Sequence, residues 1–211
     1  MTKSLTTLVL CGLLTIIGCA AETEEEVKID GPSEEEIAAK KSQDEFKKGL
    51  EFTAIEDWDN AISSYTRSID LNGQFSKAYF NRGLAYGNQG EFRLAIVDLS
   101  AAIEIDPDYF DAYRFRASAY GTTGMYDEAI VDYGEAIRLR PDEPAAYYGR
   151  GLKYSRQGEF DNAVQDFNEA VRLKTTNARV YVLRGLVFKE QGNRDKAEAD
   201  FAIARSMGLQ R

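Results

Sequence analysis

Four aspartates, Asp98, Asp132, Asp166 and Asp200, recur every 34 residues, and four arginines, Arg82, Arg116, Arg150 and Arg184, recur at the same interval. Carboxylates are the only abundant side chains that could do acid or base chemistry, because the sequence contains no histidine. That absence removes the commonest general base and the commonest zinc ligand together. A carboxylate-pair hydrolase would need two acidic groups converging on one site. Here they come one per interval, each with its own arginine, which is the pattern of a structural ladder of ion pairs. Where the first interval should carry the pair it has Lys48 and Ser64, so both partners are missing together, as pairing within one interval requires. The expectation is no catalytic residue, no cofactor and no metal site.

Cys11 and Cys19 are the only cysteines, and both lie in the first nineteen residues, so the body of the chain has neither a disulfide framework nor a thiol nucleophile. The 26 basic and 35 acidic residues give a formal charge of −9. Phosphate binding needs a dense basic footprint, so nucleic acid is not an expected partner.

The elements that must position these charges form a repeat. The stretch Ser76–Tyr109 returns in near-copies at 42–75, 110–143, 144–177 and 178–211, five units of 34 residues. Tyr79, Tyr113, Tyr147 and Tyr181 share the fourth column. Gly83, Gly151 and Gly185 share the eighth, with Ala117 as the variant, and Tyr86, Tyr120, Tyr154 and Phe188 share the eleventh. A small residue one turn from each ring lets a second helix come close. Gly90, Gly124, Gly158 and Gly192 are placed to end the first helix of a unit in the left-handed conformation. The second helix carries Ala95, Leu99 and Ala102 and their counterparts, an apolar stripe at helical spacing. Pro107 and Pro141 stop that helix in two units. A period of this length marks a helical solenoid.

These columns resemble the tetratricopeptide repeat (TPR) signature of aromatic, small residue and aromatic followed by Ala, aromatic, Ala and Pro. The resemblance implies an all-α, right-handed superhelix of five helix-turn-helix units over residues 34–211 that binds proteins or peptides without catalysis. It also implies that first helices line the concave groove. By column, the groove candidates are Phe46, Leu50, Lys77, Phe80, Asn81, Leu84, Arg114, Tyr148, Leu152 and Arg156. The first-helix rings among them could equally pack between units. The carboxylate clamp used by some relatives is not expected, since Asn81 matches one of its positions but Asp111 and Phe115 replace a required lysine and arginine.

Residues 1–18 read as an export signal, with Lys3 ahead of a 13-residue apolar run from Leu5 to Ile17 that is too short to span a bilayer. The run ends Ile16-Ile17-Gly18-Cys19-Ala20, which resembles the bacterial lipoprotein box. That resemblance implies that Cys19 becomes a lipidated first residue, anchoring the protein in the cell envelope, on the periplasmic side of the outer membrane where there is one. Residues 19–33 then form an acidic tether, AETEEEVKIDGP at its centre, reaching at most about 45 Å. Ser33 and Glu36 form a capping box, so a helix should start there and run through Phe46 and Leu50 into the first unit.

In the last unit Arg194, Glu198 and Arg205 replace apolar residues of earlier units on the side that would meet a sixth. Polar ends of this kind predict a complete array of five and a monomeric body. The functional expectation is a membrane-anchored scaffold or adaptor for a protein or peptide of the envelope. An assembly factor, pilotin-like or part of outer-membrane protein insertion, is the alternative.

Overall fold

The computed structural model describes residues 31–208. The signal segment, Cys19 and most of the acidic tether lie outside the described residues. Among those described there are ten helices and no strand, paired as the repeat requires. They are α1 (Glu34–Ala54) with α2 (Trp58–Leu71), α3 (Ser76–Asn88) with α4 (Phe92–Ile105), and α5 (Phe110–Thr122) with α6 (Tyr126–Leu139). The last two pairs are α7 (Pro144–Gln157) with α8 (Phe160–Arg172) and α9 (Arg179–Glu190) with α10 (Arg194–Ser206).

The start of α1 is set by the expected capping box. The Glu36 backbone N–H donates to Ser33 Oγ at 3.2 Å and the Ser33 N–H donates to Glu36 Oε2 at 2.8 Å, with three glutamates in the first turn facing the positive helix end. The turn glycines behave as their position demands: Gly90, Gly124, Gly158 and Gly192 all have φ between 80° and 84°. Two turns reach the left-handed region without glycine. Glu56, in the column of those four, has φ 58°, and Lys174, one residue before the column that holds Pro107, Pro141 and Thr175, has φ 56°. The Thr175 N–H donates to the carbonyl of Ala170 at 3.1 Å, a backbone cap that takes over from proline in stopping α8.

Within a unit the helices touch where the small column lies. A Cβ on Gly83 would sit 3.1 Å from Leu99 Cγ, and one on Gly185 would sit 2.7 Å from Phe201 Cε1. Alanines at the matching columns, such as Ala95, Ala102, Ala163 and Ala170, are buried to within 2%. In the third unit Ala117 takes the glycine's place, and the Tyr133 ring extends towards α7, against Gly149, whose missing Cβ leaves the space that the ring fills.

The ion-pair ladder forms within units. Arg82 grips Asp98 through Nε and Nη2 at 2.7 and 2.8 Å, and the same fork joins Arg116 to Asp132, Arg150 to Asp166 and Arg184 to Asp200. The aspartates are buried, with side chains no more than 7% exposed, so each carboxylate is committed to structure. In three units the free Nη1 also reaches the preceding unit: Arg82 donates to Thr66 Oγ1 (3.0 Å), Arg116 to Ser100 Oγ (2.9 Å) and Arg184 to Asn168 Oδ1 (2.7 Å). Gly134 stands at that column for Arg150 and offers no acceptor. The first unit, lacking the fork, joins α1 to α2 through Ser42 and Ser68, each hydroxyl donating to the other's carbonyl at 2.8 and 2.9 Å.

A second ladder ties successive units at their turns. Gln89 donates to Asp59 at 2.7 Å, Gln157 to Asp127 at 2.5 Å and Gln191 to Asp161 at 2.8 Å, each spanning 30 residues. The α4–α5 junction has Arg93 and Thr123 in these columns and no such rung. Consecutive first helices α3, α5, α7 and α9 touch one another, whereas consecutive second helices make no comparable contact, so the stack closes towards its first helices and that side is concave. Successive helices pack on one another from α1 to α10 and bury their apolar residues between them, so the solenoid carries its own core.

Candidate functional site

The expected groove residues divide into those that hold units together and those that face outward. Phe46 stacks on Tyr65 and Phe75, with ring centroids 5.7 and 4.9 Å apart, and Phe80 packs on Tyr109 and Phe115 at 4.8 and 5.7 Å. Both rings are half-buried; Phe46 packs within the first unit up to Phe75, the residue that caps α3, and Phe80 lies at the junction of the second and third units. Asn81 turns its amide back onto the Lys77 carbonyl at 2.8 Å. Arg114 is held by Asp111 at 2.9 Å and lies over the Phe115 ring at 4.2 Å. Tyr148 packs at the edge of the core around Phe167. Leu50 and Leu186 are 41% and 46% exposed, Leu84 and Leu152 are half-buried, and Lys77 and Arg156 are exposed.

One cleft opens among these side chains. It lies between α3 and α5, over α4, with a volume of about 180 Å³, lined by Gly83, Leu84, Gly87, Phe92, Leu99, Phe115, Ser118 and Ala119. Its cause is local: Gly87 and Ala119 face each other across the two helices, and neither has a side chain long enough to fill the gap. At the next junction the same two columns hold Gly121 and Lys153, and the lysine's methylenes lie on Gly121, closing the gap. The cleft is large enough for one branched or aromatic side chain and is lined mostly by carbon.

Between α5 and α7 the floor is polar. Burial pushes the Tyr133 phenol up to about 12, while its hydroxyl hydrogen-bonds to Ser118 and feels the charge of Arg114. Burial, together with the nearby Arg156 charge, pushes the Lys153 ammonium down from its ordinary value. Lys153 stands outside the expected groove columns. Its own column holds the buried residues Ala85, Ala119 and Val187 and, in the first unit, the exposed Glu51; a charge between apolar interior members of the column is the sequence signal that marks it.

The arrangement is that of an interaction scaffold, an apolar cleft and a polar strip on the concave side of a helical stack, with every buried aspartate tied to an arginine. Residues 76–109 match the family model described as tetratricopeptide repeat, and residues 117–158 and 151–192 match the one described as TPR repeat. These matches cover more than half of the chain, which belongs to the tetratricopeptide repeat family. It is similar to a crystal structure of MamA protein at 26% identity and a TM-score of 0.75, over 80% of this chain and 92% of that one. YrrB, a TPR protein with an unusual peptide-binding site, is similar at 16% identity and a TM-score of 0.69, over 78% and 84% of the two chains. PilF of Pseudomonas aeruginosa is similar at 15% identity and 0.73, over 82% and 79%. At 15–16% identity the latter two likenesses are of fold. No curated protein sequence matches the chain.

Proposed function

We propose that the chain is a membrane-anchored scaffold that holds a segment of another envelope protein in its concave groove. Family membership supports a protein-interaction role, and the observation that carries the groove reading is the open cleft between α3 and α5. Four half-exposed leucines, Leu50, Leu84, Leu152 and Leu186, recur in its column along the groove, an apolar line suited to anchor side chains of a bound segment. Cys19 is the attachment point in this reading. Several acyl chains at about 0.8 kcal/mol per buried methylene make such an anchor durable. The acidic segment after it lets the solenoid reorient beside the membrane.

A photo-crosslinking side chain at Leu84, in cells expressing the full chain, tests the groove. Adducts that form there and are absent from the convex position Val97 are the expected result, and equal labelling at both would remove the groove from the proposal. Cys19→Ser tests the anchor, moving the protein from the membrane to the soluble fraction. An unchanged distribution would remove the lipid.

A further inference from the structure

The groove is charged against the sign of the chain. The whole chain carries −9, yet the residues that first helices present along the concave strip include Lys77, Arg114, Lys153, Arg156 and Lys189. Of the acidic residues in the same registers, Asp111 is engaged by Arg114, and Glu51 and Glu190 stand at the two ends of the array, three units before and one unit after the Lys153–Arg156 pair. Lys153 is the unusual member. It replaces a buried apolar residue, its methylenes lie across Gly121 of the neighbouring unit, and among the described residues no carboxylate comes within 4 Å of its ammonium. Among the described residues no side-chain acceptor is paired with it, and its ammonium is not sealed from solvent. A half-buried cation without a partner loses part of its hydration, a loss that an arriving anion would offset. Arg156 beside it adds to the cost of the empty state and to the attraction for an anion.

We infer that the strip between α5 and α7 receives a carboxylate of an acidic peptide through Lys153 and Arg156, while an apolar side chain of the same peptide fills the Gly87–Ala119 cleft one unit away. This rests on the groove reading above and gives it a ligand chemistry. The two subsites follow from one pair of columns: Gly87 with Ala119 leaves a hole, and Gly121 with Lys153 supplies a charge. The site differs from a carboxylate clamp, since Lys153 lies in a column that normally faces the core.

The test is a random twelve-residue peptide display selection on residues 33–211, followed by synthesis of an enriched peptide and measurement of its Kd. Enriched peptides should pair Asp or Glu with Leu, Ile or Phe. Lys153→Met, which keeps the packing over Gly121 but removes the charge, should weaken binding about tenfold or more and flatten its salt dependence. Ser118→Leu, which narrows the cleft, should weaken acidic and neutral peptides alike. Enriched peptides without acidic residues, or unchanged affinity in Lys153→Met, would overturn the inference while leaving the groove reading intact. If no peptide is enriched, or binding ignores both variants, the groove reading falls with it. If the enriched peptide fails to bind a chain that starts at residue 20, the occupant is the chain's own acidic segment, and the assignment to a partner is wrong.

Discussion

Gly134 is a gap in an otherwise regular structure, and filling it measures what one rung contributes. In the neighbouring units Thr66 and Ser100 each do two things: the hydroxyl donates to the carbonyl four residues back, Ile62 or Ile96 at 2.8 and 2.7 Å, and its oxygen accepts from the arginine of the next unit. Arg150 has no such acceptor. A Cβ added at Gly134 would stand 3.8 Å from Arg150 Nη1, an ordinary contact, and a hydroxyl one bond further out comes into hydrogen-bonding range. Two contributions separate cleanly. Gly134→Ala removes the helix penalty of glycine and should stabilise by about 0.8–1 kcal/mol. Gly134→Ser recovers roughly half of that, since serine is the poorer helix former, but adds a hydrogen bond to a charged group at a half-buried site, worth about 1–1.5 kcal/mol net. The serine variant should therefore exceed the wild type by about 1.5–2 kcal/mol, or roughly 3–8 °C in Tm for a chain of this size. Urea titration and calorimetry read both. The decisive background is Arg150→Met with Asp166→Leu, which replaces the ion pair by apolar groups that keep the helices packed. There the serine should fall below the alanine, because its acceptor has lost its donor. A serine that never exceeds alanine in the wild-type background would refute the rung as a source of stability.

The other predictions concern strain, fit and titration. Glu56→Gly, at a residue held at φ 58°, should stabilise by about 1 kcal/mol in a melting experiment. Gly149→Ala puts a methyl into the Tyr133 ring and should destabilise by about 1–3 kcal/mol, with much of that restored by Tyr133→Leu in the same chain. Asp166→Ala leaves Arg150 buried without its partner and should cost about 3–5 kcal/mol, readable as a lowered urea midpoint. Tyr133, held neutral up to about 12 against an ordinary value near 10, makes the unfolded chain lose its phenol proton first. Stability should then be complete below pH 10 and fall as pH rises towards 12, by about 2 kcal/mol for this residue, and Tyr133→Phe should flatten the fall.

The period of the sequence made most of the fold legible, because every column has one physical task and the same residue type answers it in each unit. Asp98 and Arg82 could be paired on paper for that reason, and the absence of both from the first unit already pointed to pairing within units. The left-handed turns at Glu56 and Lys174 were hidden, because no residue type announced them: their neighbours' hydrogen bonds set them. The exchange at Ala117 was visible only as a variant. Its answer lies in Gly149, one unit on, and a column alignment compares units without saying which columns touch across a junction. The groove was legible as a set of positions and not as a surface. Phe46 and Phe80 face the same way as Leu84 in register, yet neighbouring rings cover them, while Lys153 lies half-buried across a glycine on a different helix.

The missing rung between α4 and α5 has a mechanical meaning. Gln89, Gln157 and Gln191 act as cross-braces at the outer turn, whereas the Arg93–Thr123 junction has none there and is joined across its units by helix packing, the Arg116–Ser100 bond and the Phe80–Phe115 contact. The joint without a brace is also the one whose inner side holds the cleft, with Gly87 and Ala119 leaving it underfilled. A side chain inserted there would act as a wedge between α3 and α5 and alter the angle between the second and third units, at a joint whose outer turn has no glutamine brace to resist it.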